Sequence, residues 1–206
     1  SYRPDCDSIR TLGEPIKSNP GNWAERARYA LAKKSRSMED LYDQEKADRT
    51  SLGVFRPKKV HDLVISADDS DWKTSFKAAL QQARLWETRT VSKEPPRKVP
   101  FKFHYRFECD DPWCRGHRMM IEDWEIGALF WRLVDQGLTH KDAADKVREK
   151  FLGELCGPDK DTHFFVGTIL AHPNTWVVIG VFYPNIQPDK RKTDTGPTLF
   201  DMEANR

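Results

Sequence analysis

The sequence predicts an α+β fold: a mixed sheet, an αα-hairpin, and a loop at the sheet edge stabilised by metal. Three observations lead there. Phe101, Phe103, Tyr105 and Phe107 alternate with Lys102, His104, Arg106 and Glu108, the period of a half-buried strand with its aromatics inward. Ile126, Leu129, Phe130 and Leu133, then Ala143, Val147, Phe151 and Leu155, repeat at helical spacing on either side of Gly137. Between these patterns, Cys109 to Glu125 carries two thiols, an imidazole and five carboxylates in seventeen residues.

In chain order, Ser8 to Leu12 reads as a short strand among Pro4, Gly13, Pro15 and Pro20. Asn22 is placed to cap a helix from Trp23 to Lys33. Ser37 caps another to Ala47, with Glu39 and Asp40 in its first turn, where the helix dipole favours acids. Leu52 to Phe55 and Val60 to Ile65 are short strands, and Asp71 caps a helix running to Trp86. Thr88 to Pro100, polar, basic and broken by Pro95-Pro96, suits a linker or an exposed loop. It separates an α+β region at 1–88 from a β-α-α-β-β region at 101–184. In the latter, Gly137 stops the first helix, Thr139 caps the second, and Phe164 to Leu170 and Trp176 to Tyr183 are strands joined by a His172-Pro173-Asn174 turn. A flexible tail covers 185–206, where Pro, Asp, Lys, Arg and Thr dominate.

Composition sets bounds on the function. A chain of 206 residues and 24.0 kDa, 38% hydrophobic and 32% charged, can bury a substantial core despite a mean hydropathy of -0.75. No apolar run approaches membrane-spanning length, and Ser1 to Asp5 has no signal-peptide core, so a cytoplasmic protein without membrane contact is expected. In that compartment Cys6, Cys109, Cys114 and Cys156 read as reduced thiols or metal ligands. The 34 basic and 32 acidic residues are too balanced to imply nucleic acid overall. Arg89 to Arg106, however, holds six basic residues against Glu94 alone. Arg97, Lys98, Lys102 and Arg106, with Lys58 and Lys59, are therefore the candidates for contact with nucleic acid or an acidic protein partner.

Cys109, Cys114 and His117 have the donor types and loose spacing of a zinc site, and Pro112 and Gly116 let the chain fold back on itself. The fourth ligand is sought at a distance, in Cys156 or His163, because strand alternation turns His104 to the opposite face. Asp110, Asp111, Glu122, Asp123 and Glu125 support a different reading. Carboxylates led by Asp123 and Glu125 would hold Mg²⁺ or Mn²⁺ for phosphodiester hydrolysis. Acids at a helix start are also expected for capping alone, and no lysine follows Glu125 in the E-x-K pattern of many nucleases. Trp113 is expected to pack over the metal loop.

Tyr2-Arg3-Pro4-Asp5, Thr50 to Lys58, the Cys-Asp-Asp-Pro-x-Cys-x-Gly-His and Asp-Trp-Glu strings between Cys109 and Glu125, Phe165-Val166-Gly167 and Gly180 to Pro184 together resemble a family of uncharacterised bacterial hypothetical proteins. The resemblance spans nearly the whole chain and implies no activity. It implies a further strand-like segment ahead of Tyr2, a small β-domain or one supplied by a partner chain. Gly196 to Asp201 looks like the Leu-Phe core of peptides that dock on the replication sliding clamp, through Leu199 and Phe200, with Gly196 where glutamine is usual. The function expected is a zinc-stabilised nucleic-acid-binding or interaction protein without turnover. The alternatives are a metal-dependent nuclease or phosphodiesterase, and a non-enzymatic subunit of a larger assembly.

Overall fold

Ser37 illustrates how local chemistry places the first elements. Its backbone is extended and its hydroxyl accepts the Asp40 N–H, so the chain enters helix α2 (Met38–Asp48) with Met38 and Leu41 turned fully into the core. Arg49, left-handed at φ 60°, ends it. The preceding helix α1 (Ala24–Ala30) is shorter than the expected Trp23 to Lys33 and buries no side chain. Trp23 at its start lies against Phe182 and Tyr183, with ring centroids 5.2 and 5.1 Å apart. The computed structural model describes residues 13–16, 23–78, 97–170 and 172–186. The expected Ser8 to Leu12 strand, the Asn22 cap, most of the helix after Asp71 and nearly all of the tail lie outside these residues. Residues 74–78 are helical.

Among the described residues six strands follow: β1 (Leu52–Phe55), β2 (Lys59–Ala67), β3 (Phe101–Glu108), β4 (His117–Met120), β5 (His163–Ile169) and β6 (His172–Phe182). They form two antiparallel sheets, ordered β1-β5-β6 and β2-β3-β4, in place of a single mixed sheet. Parallel pairing among the described residues is confined to single bridges, Ser35 with Phe55 and Ile121 with Val178. The second of these, with the Glu122 N–H donating to the Val178 carbonyl at 2.7 Å, ties one sheet to the other. Each sheet takes one strand from before residue 88 and two from after 100.

An aromatic layer joins the sheets. Tyr105 on β3 stacks on Phe164 of β5 at 4.6 Å and 17°, while Phe107 and Phe55 meet Phe164 edge-on at 5.5 and 6.0 Å. All four are fully buried, each contributing roughly 1.5–3 kcal/mol of transfer free energy. Inward Phe103, Tyr105 and Phe107 against exposed Lys102 and Arg106 follow the period-two pattern.

The αα-hairpin consists of α3 (Trp124–Asp135), capped by Asp123, and α4 (His140–Arg148), capped by Thr139, with Gly137 at φ +97° between them. The helix then widens into a π-helical turn, Glu149–Glu154. An apolar stripe at every fourth residue drifts off a helix of roughly 3.6 residues per turn, and the wider turn brings Phe151 and Leu155 back to the core beside Ala143 and Val147. Two local expectations need correction. His117–Met120, too short to show a period, is a strand, with Met119 inward and Arg118 outward. His172-Pro173-Asn174 is no turn but the start of β6, because His172 already pairs with Ile169 of β5. Pro173 is tolerated there because β6 is an edge strand.

Candidate metal centre

The β3–β4 connection is a tightly bonded loop. Asp111 accepts the Trp113 N–H through its side chain at 2.9 Å and the Cys114 N–H through its carbonyl at 3.1 Å, and Gly116 at φ +85° turns the chain back into β4. Cys114 Sγ, inside this turn, accepts from the backbone N–H of Cys109 at 3.2 Å and of Gly116 at 3.4 Å. The start of α2 lies across the loop. Met38 N–H points at Cys109 Sγ (3.5 Å), and the Ser37 hydroxyl donates to Asp111 Oδ2 (3.2 Å).

Here the ligand atoms of Glu39, Cys109, Cys114 and His117 all lie within 4.8 Å of one another, a group capable of holding a metal ion. His117 Nε2 is 3.0 Å from Glu39 Oε1 and 3.4 Å from Cys114 Sγ. The imidazole is held by stacking on Phe107 at 5.0 Å and 27°. Cys109 is buried, which pushes its thiol up to about 12; the nearby Glu39 carboxylate and Cys114 add to the shift, opposed by the Met38 N–H. Glu39 Oε2 is shielded from solvent and bonded to nothing among the described residues. A carboxylate oxygen in that state is destabilising unless a cation or donor reaches it.

Glu39 is the member that sequence reasoning missed. Its position in the first turn of a capped helix explains an acid without any ligand role, and nothing in local spacing links it to the loop. The distinction from its neighbour shows only in the structure: Asp40 takes the Arg36 N–H at 3.0 Å and its guanidinium at 3.3 Å, whereas Glu39 turns to His117 at 3.0 Å.

Cys156 and His163, considered as distant ligands, stand apart from this group. Cys156 Sγ donates to the Phe151 carbonyl at 3.3 Å, and burial pushes its thiol up to about 12. His163 Nδ1 is 2.9 Å from the Asp161 carbonyl. His104 faces away from the loop, across from Met120. Asp123 Oδ1 accepts the Glu125 N–H at 2.9 Å, the capping geometry of α3. Burial raises the Asp123 carboxyl; it and Glu122, raised by burial and by Asp68, line a cavity of about 670 Å³ with Trp72, Trp124 and Trp131. Among the described residues, Asp123 and Glu125 belong to no cluster of three or more metal-ligating groups.

The basic candidates divide in two. Arg97 is paired with Asp135 at 2.8 Å and lies over the Trp131 ring at 3.7 Å. Lys98 and Lys102 share Asp68 at 3.0 and 3.2 Å, and Lys58 reaches Asp110 at 3.6 Å. Lys59 and Arg106 are exposed, with no carboxylate within 4.0 Å among the described residues. Trp113, expected to pack over the loop, is 84% exposed, because Phe107 and Tyr42 already flank His117. Leu199 and Phe200 lie outside the described residues.

Fold and site together define an α+β protein with a Glu-Cys-Cys-His donor cluster between a helix N-terminus and a β-loop; no described helix is long and apolar enough to cross a membrane. Residues 34–202 match the family described as Domain of unknown function (DUF8757), and the chain belongs to that family. No curated protein and no solved structure matches it.

Proposed function

We propose that this protein is a zinc-stabilised interaction protein that acts by binding rather than turnover, with Glu39, Cys109, Cys114 and His117 as the zinc ligands. The observation that carries this reading is the convergence of the four donors around the buried, unbonded Glu39 Oε2. Two sulfurs and an imidazole select a borderline-soft cation over Mg²⁺ or Ca²⁺, and four protein donors complete the tetrahedral shell that Zn²⁺ prefers. A complete shell leaves no open position for substrate or water, which separates structural from catalytic zinc. The ion would clamp α2 to the β3–β4 loop, adding to the hydrogen bonds and the apolar packing of Met38 and Cys109 in the core. Reduced thiols of this kind suit a cytoplasmic setting.

Elemental analysis of the purified full chain tests this directly. About one zinc per chain is expected, with a large fall in Cys109→Ser and a thermal midpoint lowered by roughly 10 °C in chelator, as for a ligand present at ~1,000 times its dissociation constant. Metal-free protein whose stability ignores chelator would remove the reading.

A further inference from the structure

The geometry points to the outer face of the β2-β3-β4 sheet, together with Trp113, as a binding surface for single-stranded nucleic acid. The inference deepens the interaction reading above and rests on it in one respect: the loop that carries Trp113 is the one zinc would hold.

Arg106 and Arg118 are register partners on β3 and β4, and both are exposed. Like charges directly opposite in an antiparallel pair repel and destabilise it, so a purely structural face would place an acid at one of the two positions. The neighbouring acids are committed elsewhere. Asp62 stands opposite Arg106 on β2 and its charge is felt there, but its carboxylate is paired with Arg148 at 2.6 Å; Glu108 lies 3.3 Å from His61, and Asp110 lies 3.6 Å from Lys58. Arg106, Arg118 and Arg115 are thus left with no carboxylate within 4.0 Å among the described residues, unlike Arg97, Lys98 and Lys102. A polyanion relieves that repulsion, and guanidinium groups suit phosphate oxygens.

Trp113 supplies a different kind of contact close by. Phe107 pairs with His117 one register step beyond the arginine pair, so the 109–116 loop projects from that end of the sheet. The Trp113 backbone is fixed by Asp111, yet the residue is 84% exposed. A large apolar ring held out on a fixed backbone does nothing for the core. It offers a stacking platform for an unpaired base, which a duplex does not present. Paired arginines for phosphates beside an aromatic platform for bases favour a single strand over an acidic protein.

Fluorescence anisotropy with labelled, mixed-sequence single-stranded DNA and RNA tests the proposal, with duplex DNA and polyglutamate as comparison ligands. Binding to either single strand that weakens as salt rises is expected. Trp113→Ala should reduce affinity roughly tenfold. Arg106→Ala and Arg118→Ala should each lower the logarithmic salt slope by about 0.7, whereas Arg97→Ala should change affinity by no more than about twofold. Absence of single-strand binding overturns the proposal, as does equal affinity for polyglutamate or duplex, or indifference to Trp113→Ala and both arginine variants. Zinc content is measured on every sample. Residue-dependent oligonucleotide binding by zinc-free protein would uphold the surface while overturning the zinc reading, and stoichiometric zinc without oligonucleotide binding would do the reverse.

Discussion

The Ser37 hydroxyl joins two distant segments: it accepts the Asp40 N–H at 3.1 Å and donates to Asp111 Oδ2 at 3.2 Å. One oxygen therefore caps α2 and fastens it to the loop bearing Cys109 and Cys114. Ser37→Ala should lower stability by about 1–2 kcal/mol, the upper range for a lost cap because Asp111 also loses a donor. Urea unfolding checks the stability, and competition with a zinc chelator should show weaker metal retention. An unchanged midpoint would mean that the hydroxyl is dispensable.

Glu39 offers a sharper comparison. If its carboxylate serves only the helix dipole, removing it should resemble removing Glu125 at the start of α3. Glu39→Ala is expected to weaken zinc retention at least tenfold, whereas Glu125→Ala leaves it unaltered. Equal zinc retention in the two variants would reduce Glu39 to a helix-start acid.

Tyr105 is buried at the aromatic layer, and its hydroxyl donates to the Phe151 carbonyl at 2.8 Å. That bond anchors the π-helical turn to β3. Tyr105→Phe keeps the ring but deprives the carbonyl of its stronger donor, leaving the Cys156 thiol at 3.3 Å. A loss of about 1–2 kcal/mol is expected, with faster amide exchange through 149–154 than elsewhere.

His163 predicts an acid-labile step. It is almost fully buried, which lowers its pKa below the ordinary value, although Asp161 pulls the other way. With Nδ1–H donating to the Asp161 carbonyl, Nε2 is left buried without a partner among the described residues, so a proton there has no acceptor to meet. The unfolded chain binds a proton near pH ~6.5 and the folded chain only below that. This contribution is therefore intact above ~6.5 and declines as pH falls toward the folded-state value. The unfolding midpoint should drop over that interval in the native chain, and His163→Asn should flatten the drop. Parallel pH profiles would contradict it.

Much of this architecture was legible because it is local. The alternation in Phe101 to Glu108, the caps at Ser37 and Thr139 and the stop at Gly137 each lie within a few residues of what they control. Cys109, Cys114 and His117 were readable together for the same reason. What escaped depends on tertiary geometry. Glu39 comes from a helix far upstream, and β4 has too few residues to show a period. The separation into two sheets follows from partner choice among strands, and the helix widening at 149–154 from how the stripe meets the core. The basic run from Arg97 to Lys102 looked continuous in sequence, but Asp68 and Asp135 come from elsewhere to neutralise it.

The pairing of β1 with β5 sets Leu52 opposite Gly167, more than a hundred residues later in the chain. As the protein is synthesised, Leu52 to Phe55 leaves the ribosome long before its hydrogen-bonding neighbour exists, and the sheet it belongs to can close only when the C-terminal third has been made. Long loop closure of this kind slows folding and prolongs exposure of unpaired strand edges. Two fragments divided near residue 90 should accordingly be poorly behaved apart and regain structure on mixing, the behaviour of a complementing pair.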